Sequence, residues 1–140
     1  MPKFSQSSID KLQTVHPDLQ TLFNEVIKTF DCTIIVGHRG QADQDKALAE
    51  GKTQLKWPLS NHNKTPSYAV DVMPCVDGKI DWNAPTNTAF FAGYVVAIAQ
   101  QLKDSGKITH VIRYGGNWKM DHDLKANHFA DGDHFEIFTG

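Results

Sequence analysis

Two polar stretches of this chain each lead into a strand-like run, and both junctions are rich in residue types that bind metal ions. The first junction carries His62 and Asp71, and the second carries His134 followed by Glu136. A catalytic zinc ion takes three protein ligands and leaves a fourth position open, and His62, Asp71 and His134 supply such a set. Glu136 shares a strand face with His134 and could support it through a hydrogen bond. The pattern predicts a hydrolytic zinc site at loop-to-strand junctions, which hold ligands firmly but leave the metal accessible.

Hydrolysis at such a site also needs a general base that is close to the metal without being a ligand. Asp131 lies three residues before His134, across a tight turn at Gly132, and is the candidate for that role. A second interpretation is that Asp131 and Asp133 only form the turn and that His62 is a solvated loop residue. The spacing alone leaves both interpretations open, because His-x8-Asp is a loose pattern and Asp-x2-His is a short one.

Other histidines compete for the metal. His122 and His128, together with His134, place three histidines in one loop-to-strand segment. The same loop carries side-chain oxygens that suit a second ion such as calcium, but an ordinary solvated loop is the favoured explanation. We expect His110 to be satisfied locally within a strand and His16 to lie at the surface beside a helix junction.

Cysteine and tryptophan side chains offer weaker signals. Two cysteines, Cys32 and Cys75, cannot form a disulfide framework, and we expect reduced packing residues rather than nucleophiles. The three tryptophans could line a glycan or peptide groove, or could pack in the core or at its rim: Trp57, Trp82 and Trp118.

The elements that must hold these residues follow from periodicity and from capping and turn residues. Helical spacing of apolar residues, β-branched runs and an Asp-Gly turn predict an α+β fold, with a small, largely antiparallel sheet packed by helices. The predicted helices span Ile9–Val15, Pro17–Phe30, Gln41–Glu50 and Pro85–Ser105, and the predicted strands span Cys32–Val36, Tyr68–Met73, Lys79–Trp82, Thr109–Tyr114 and His134–Phe138. Long polar loops at Lys52–Ser67 and Gly115–Gly132 are of the kind that is usually functional.

Composition limits the classes of protein that the chain can be. It has 140 residues, with 14 Lys and Arg against 16 Asp and Glu and a formal net charge of -2, which favours one globular domain over residues 1–140. A pI near 6.4 argues against a nucleic-acid partner. The longest apolar stretch, Ala89–Ala99, is too short to span a membrane, and Met1–Ser8 lacks the pattern of a signal peptide. We therefore expect a monomer with neither a nucleic-acid nor a membrane partner.

Four motifs together resemble a known family. They are Gly37-His-Arg39 with Gln44, Ser60-Asn-His62 through Pro66-Ser-Tyr-Ala-Val-Asp71, Arg113-Tyr-Gly-Gly-Asn-Trp118, and Asp131-Gly-Asp-His134-Phe-Glu136. In this order and over most of the chain, they resemble the zinc D-Ala-D-Ala carboxypeptidase and L-alanyl-D-glutamate endopeptidase family. The similarity is closest to the small single-domain endolysins of tailed phages.

The resemblance implies roles for individual residues. It implies that His62, Asp71 and His134 bind zinc, that Asp131 is the general base, and that Arg39 stabilises oxyanion charge. Residues in or beside the matching motifs are expected to contact substrate: His38, Gln44, Ser60 and Trp118. The chain departs from many relatives at Asp133, where a small residue or proline is common, and an extra carboxylate there bears on the base and the metal.

The implied substrate is the peptide stem of bacterial peptidoglycan, cut between L-alanine and D-glutamate. The implied setting is a phage lysis enzyme that accumulates in the host cytoplasm and reaches the cell wall when another protein opens the membrane. Two alternatives stay open at this point: a D-Ala-D-Ala carboxypeptidase or dipeptidase on the same scaffold, and a non-catalytic module in which zinc only stabilises a wall-binding fold.

Overall fold

The computed structural model describes residues 2–124 and 132–140. Four α-helices and five strands succeed one another along this part of the chain. Their bounds are α1 Gln6–Leu12, α2 Pro17–Val26, β1 Cys32–Val36, α3 Gln41–Ala49, β2 Ala69–Val76, β3 Lys79–Ile80, α4 Pro85–Asp104, β4 Val111–Tyr114 and β5 His134–Phe138, with a 3-10 turn at Asn61–Asn63. The predicted α+β class is confirmed.

The sheet is antiparallel throughout, and its main strands lie in the order β1, β2, β5, β4. Strand β3 forms a short hairpin with the end of β2, through the predicted turn at Asp77 and Gly78. Strand β5, the last in the sequence, lies between β2 and β4, so its register decides which residues of distant segments become neighbours.

Helices α2 and α4 begin as the sequence predicts. Pro17 opens α2 and Pro85 opens α4, because proline at the first helical position has no amide hydrogen to leave unpaired. His16 caps α2, and its Nδ1 accepts a hydrogen bond from the Asp18 backbone N–H at 2.9 Å. The expectation that His16 is a surface residue is therefore incomplete, since its half-buried side chain has a capping role.

Some predicted boundaries are wrong, and one has a clear physical reason. Strand β4 begins at Val111 instead of Thr109, because the backbone N–H groups of Thr109 and His110 donate to Asp18 Oδ2 at 3.0 and 3.1 Å. Those two amides are used by a side chain of α2 and are not available to the sheet. The His110 ring also contacts Asp18, with Nδ1 at 2.8 Å from Oδ2, so His110 has a hydrogen-bond partner as expected, but that partner comes from α2 and His110 lies just before β4 instead of within a strand.

The core lies on one face of the sheet, beneath α2 and α4. Phe23 from α2 and Phe91 from α4 both meet Phe135 of β5, with ring centroids 5.5 and 6.2 Å apart in edge-on arrangements. Along β2 and β5, alternate residues point into this core, including Val70 and Ile137. The residues between them must therefore face the opposite side of the sheet.

Candidate functional site

The face of the sheet opposite the core carries a row of polar side chains. On β2, Asp71 lies between the core residues Val70 and Val72, and on β5, His134 and Glu136 flank Phe135. The strand register places Asp71 directly opposite His134. Residues far apart in the sequence are thus brought together by strand pairing, and the predicted location at loop-to-strand junctions matches the start of both strands.

His62, Asp71 and His134 form one compact group. Asp71 Oδ1 lies 3.1 Å from His62 Nε2 and 3.1 Å from His134 Nδ1. One ligand atom from each of the three residues lies within 4.8 Å of the others, which is a spacing that a metal ion can bridge. All three residues are buried, with exposed fractions of 2%, 7% and 6%.

Backbone and side-chain acceptors fix the orientation of both imidazole rings. His62 Nδ1 lies 2.8 Å from the carbonyl oxygen of Gly37, which can only accept, so Nδ1 carries the hydrogen. His134 Nε2 lies 2.8 Å from the carboxylate oxygen Oε1 of Glu136. Because that oxygen accepts, Nε2 of His134 carries the hydrogen. In the neutral rings, His62 Nε2 and His134 Nδ1 then present lone pairs towards Asp71.

This donor set fits a metal ion on chemical grounds. Two imidazole lone pairs and a carboxylate oxygen are all acceptors, and acceptors at 3.1 Å from one another are stable only with a cation or with added protons between them. Burial raises the pKa of Asp71, but His62 and His134 more than offset this and hold the pKa well below its ordinary value. Asp71 is therefore an anion poised to bind a cation.

Local chain geometry holds His62 in place. The 3-10 turn that carries His62 begins with Ser60, whose Oγ accepts the His62 backbone N–H at 3.2 Å, and Asn63 closes the capping box. Gly37 runs so close to α1 that a Cβ atom there would lie 2.5 Å from the Lys11 carbonyl oxygen. Glycine at this position lets the Gly37 carbonyl reach His62.

Arg39 reaches the site from the loop after β1. Its Nη2 lies 3.8 Å from Asp71 Oδ2, and its Nη1 donates to Gln44 Oε1 at 3.2 Å. Gln44 is fully buried and also donates to the Leu55 carbonyl at 2.7 Å. Asn63 donates to the same Gln44 oxygen at 3.1 Å. Gln44 thus uses its amide for hydrogen bonds with protein groups and holds the Arg39 side chain, and its contact with substrate stays a prediction.

Glu136 links His134 to Arg113. Glu136 Oε2 accepts from Arg113 Nη2 at 2.7 Å and from Nε at 3.2 Å, across the β4–β5 register. Burial raises the pKa of Glu136. The hydrogen bond with His134 and the Arg113 guanidinium lower that pKa by more than burial raises it, so the net shift is downward. The hydrogen bond expected from the shared strand face is present. The part of Arg113 was missed, because only strand pairing places it opposite Glu136.

An open cavity of about 720 Å³ exposes this group to solvent, within the size range of pockets that bind small molecules. Ser60, Trp118, Asp133 and Arg39 line it, whereas His38 and Gln44 do not. Its other lining residues include the exposed side chains Lys52, Leu55, Leu59 and Trp82.

Other predicted residues fall elsewhere. Asp131 and His128 lie outside the described residues, so the geometry does not bear on either. His122 is exposed, has a positive φ of 63° and does not line the cavity that holds the buried triad.

Burial raises the pKa of the Cys32 thiol, which suits a packing residue and not a nucleophile. No helix within 2–124 and 132–140 is long and apolar enough to cross a membrane.

A solved structure shares this fold. The crystal structure of Serratia marcescens L-Ala D-Glu endopeptidase ChiX superposes with a TM-score of 0.72 at 24% sequence identity, covering 97% of this chain and 90% of that one. At this level of identity the likeness concerns the fold, which combines helices with a small antiparallel sheet.

Sequence comparison then gives the family. The model of the phage L-alanyl-D-glutamate peptidases matches residues 1–138, which is nearly the whole chain. The L-alanyl-D-glutamate peptidase of Escherichia phage T5 is 31% identical over 141 residues, covering 96% of this chain and 97% of that protein. This chain therefore belongs to the phage L-alanyl-D-glutamate peptidase family, and the family resemblance found in the four motifs is confirmed.

Proposed function

We propose that this protein is a zinc-dependent endolysin that hydrolyses the L-alanyl-D-glutamate bond in the peptide stem of peptidoglycan. The observation that carries the zinc assignment is the convergence of His62 Nε2, Asp71 Oδ1 and His134 Nδ1 in a buried group at the floor of an open cavity. Family membership supplies the reaction and the bond.

Nitrogen and carboxylate ligands in this number suit zinc. Three protein ligands leave room for a substrate atom or water on the cavity side, which distinguishes a catalytic from a structural site. When bound, zinc supplies Lewis acidity, which polarises a peptide carbonyl and makes a nearby water molecule more acidic. The outer hydrogen bonds to Gly37 and Glu136 keep both imidazoles in the tautomer that such binding requires.

Side chains around the ligands would complete the chemistry. Arg39 is half-buried, faces the cavity and carries a fixed positive charge, so it suits stabilisation of the negative charge that develops on the carbonyl oxygen. Asp131 would accept a proton from the attacking water and deliver it to the leaving amine, on the strength of its place three residues before His134 and of the family motif. Trp118, whose ring lies 5.3 Å from the His134 ring, and Ser60 both line the cavity and would border the substrate.

The proposed setting is lysis of a phage-infected bacterium. As an endolysin the protein would act as a monomer, gather in the host cytoplasm and meet peptidoglycan once the membrane has been opened.

Mass spectrometry of the fragments released from purified peptidoglycan tests this function. We expect stem peptides that begin with D-glutamate, release that stops on addition of a chelator, and recovery when zinc is restored. Loss of terminal D-alanine alone would instead identify a carboxypeptidase, and absence of any release by zinc-loaded protein would refute a peptidase function.

Two histidine variants give a matched control. His62→Ala removes a buried ligand, and we expect it to abolish tight zinc binding and hydrolysis. His38→Ala changes an exposed histidine in the segment that packs against the His62 turn but does not line the cavity. Equal loss of zinc from both variants would contradict the ligand assignment.

A further inference from the structure

The cavity has large exposed apolar side chains among its lining residues that the chemistry of the scissile bond does not explain. Trp82, Leu59 and Leu55 line it, with exposed fractions of 62%, 69% and 45%. Large exposed apolar side chains grouped at a functional cavity mark a surface that is covered when a partner binds. The same cavity reaches His62, Asp71 and His134 without interruption.

The two residues of the scissile bond are poor partners for these side chains. The methyl group of alanine is too small to cover an indole ring, and glutamate contributes a free carboxylate, which prefers polar surroundings. A third chemical group must therefore account for an exposed tryptophan and two exposed leucines in one cavity lining.

The chemistry of peptidoglycan supplies that group. The L-alanine of each stem is joined through a lactyl ether to a muramic acid sugar, so only one residue separates the sugar from the bond that is cut. One residue spans about 3.8 Å, and the sugar must therefore lie within about 10 Å of the scissile carbonyl. A cleft that binds the scissile bond therefore has the sugar within the same reach of about 10 Å.

Trp82 is the tryptophan best suited to meet that sugar. Trp118 is half-buried, with its ring against His134 and the Arg113 guanidinium 5.2 Å from its centroid. Trp57 is half-buried and does not line the cavity. Trp82 follows β3, which turns the chain back beside β2, the strand that carries Asp71.

We propose that Trp82, together with Leu55 and Leu59 of the same cavity lining, forms a saccharide subsite that binds the muramic acid residue attached to the L-alanine of the substrate. One face of a pyranose ring presents mainly C–H groups, which pack on the indole face while the hydroxyls at the ring edge stay hydrated. The leucines suit the methyl groups of the lactyl and N-acetyl substituents. This inference rests on the proposed function, because it takes the bond to be the first of the stem.

Binding of N-acetylmuramyl-L-alanine tests the subsite without any hydrolysis, because this compound lacks the bond that is cut. We expect it to bind more tightly than N-acetyl-L-alanine, which lacks the sugar, in isothermal titration calorimetry. Trp82→Ala should weaken binding of the sugar-bearing probe about tenfold, as loss of one aromatic stacking partner does. Trp82→Phe retains a ring face and should restore most of the affinity.

Phe90→Ala is the matched control. Phe90 is an aromatic residue with a similar exposed fraction, 68%, but it lies on α4 and does not line the cavity. Its replacement should leave the affinity for both probes unchanged. Equal affinity of the wild-type protein for the two probes, or unchanged binding by Trp82→Ala, would overturn the subsite.

Hydrolysis rates separate failure of the subsite from failure of the proposed function. Trp82→Ala should lower kcat/KM for a muramyl-linked stem peptide about tenfold and leave kcat/KM for the free stem peptide nearly unchanged. An equal fall with both substrates would show that Trp82 contacts the peptide and not the sugar. If the wild-type protein cuts neither substrate at the L-alanyl-D-glutamate bond, the proposed function itself fails.

Discussion

Replacing Glu136 with glutamine should weaken zinc binding about tenfold while the fold is retained. Glu136 does not belong to the ligand set. It accepts the outer hydrogen of His134 through Oε1 at 2.8 Å and the Arg113 guanidinium through Oε2 at 2.7 Å. The variant therefore tests whether a hydrogen-bond partner controls how well His134 can bind a metal.

The magnitude follows from these contacts. Glutamine keeps one oxygen that can accept from His134, but it removes the negative charge and turns an amide nitrogen towards Arg113. A hydrogen bond to a charged group is about twice as strong as a neutral one, which makes the loss about 1 to 1.5 kcal/mol. A difference of about 1.4 kcal/mol corresponds to a tenfold change in affinity.

The assay is competition for zinc between the protein and a chromophoric chelator at constant pH. Glu50→Gln serves as the control, because Glu50 pairs with Lys52 at the surface, 3.2 Å away, and touches no proposed ligand. Zinc affinity of Glu136→Gln within about twofold of wild type, with an unchanged circular dichroism spectrum, would refute the reasoning.

Three further changes are expected to have distinct outcomes. Asp131→Asn should keep zinc bound but lower kcat about a hundredfold or more, and substantial turnover would remove Asp131 as the base. Gly37→Ala should weaken zinc binding and lower the free energy of unfolding, because its Cβ would strike the Lys11 carbonyl; chelator competition and urea denaturation measure both effects. Asp18→Ala should lower the free energy of unfolding by about 2 kcal/mol, since it leaves the amides that precede β4 without their acceptor. The pKa of Asp18 is raised by burial but lowered more by hydrogen bonds from His110 and Thr109, so its stabilising effect should be full above about pH 4 and should disappear as the pH falls through that lowered pKa.

Much of the architecture could be predicted because it depends on local patterns. The apolar stripe after Pro17 and the alternation around Phe135 follow from the periods of a helix and of a strand. The same alternation places His134 and Glu136 on one face of their strand. The four spaced motifs indicate the family from the sequence alone. Residues close in sequence, or joined by a known motif, can be related without coordinates.

The contacts between distant segments, in contrast, depend on the tertiary structure. Strand pairing set Asp71 opposite His134 and Arg113 opposite Glu136, and a shift of one residue would have turned these side chains into the core. The burial of Gln44 and its hydrogen bonds with Arg39 and Leu55 likewise arise only in the packed structure. These outcomes depend on long-range register and packing, whose energies are shared among many residues and leave no local pattern in the sequence.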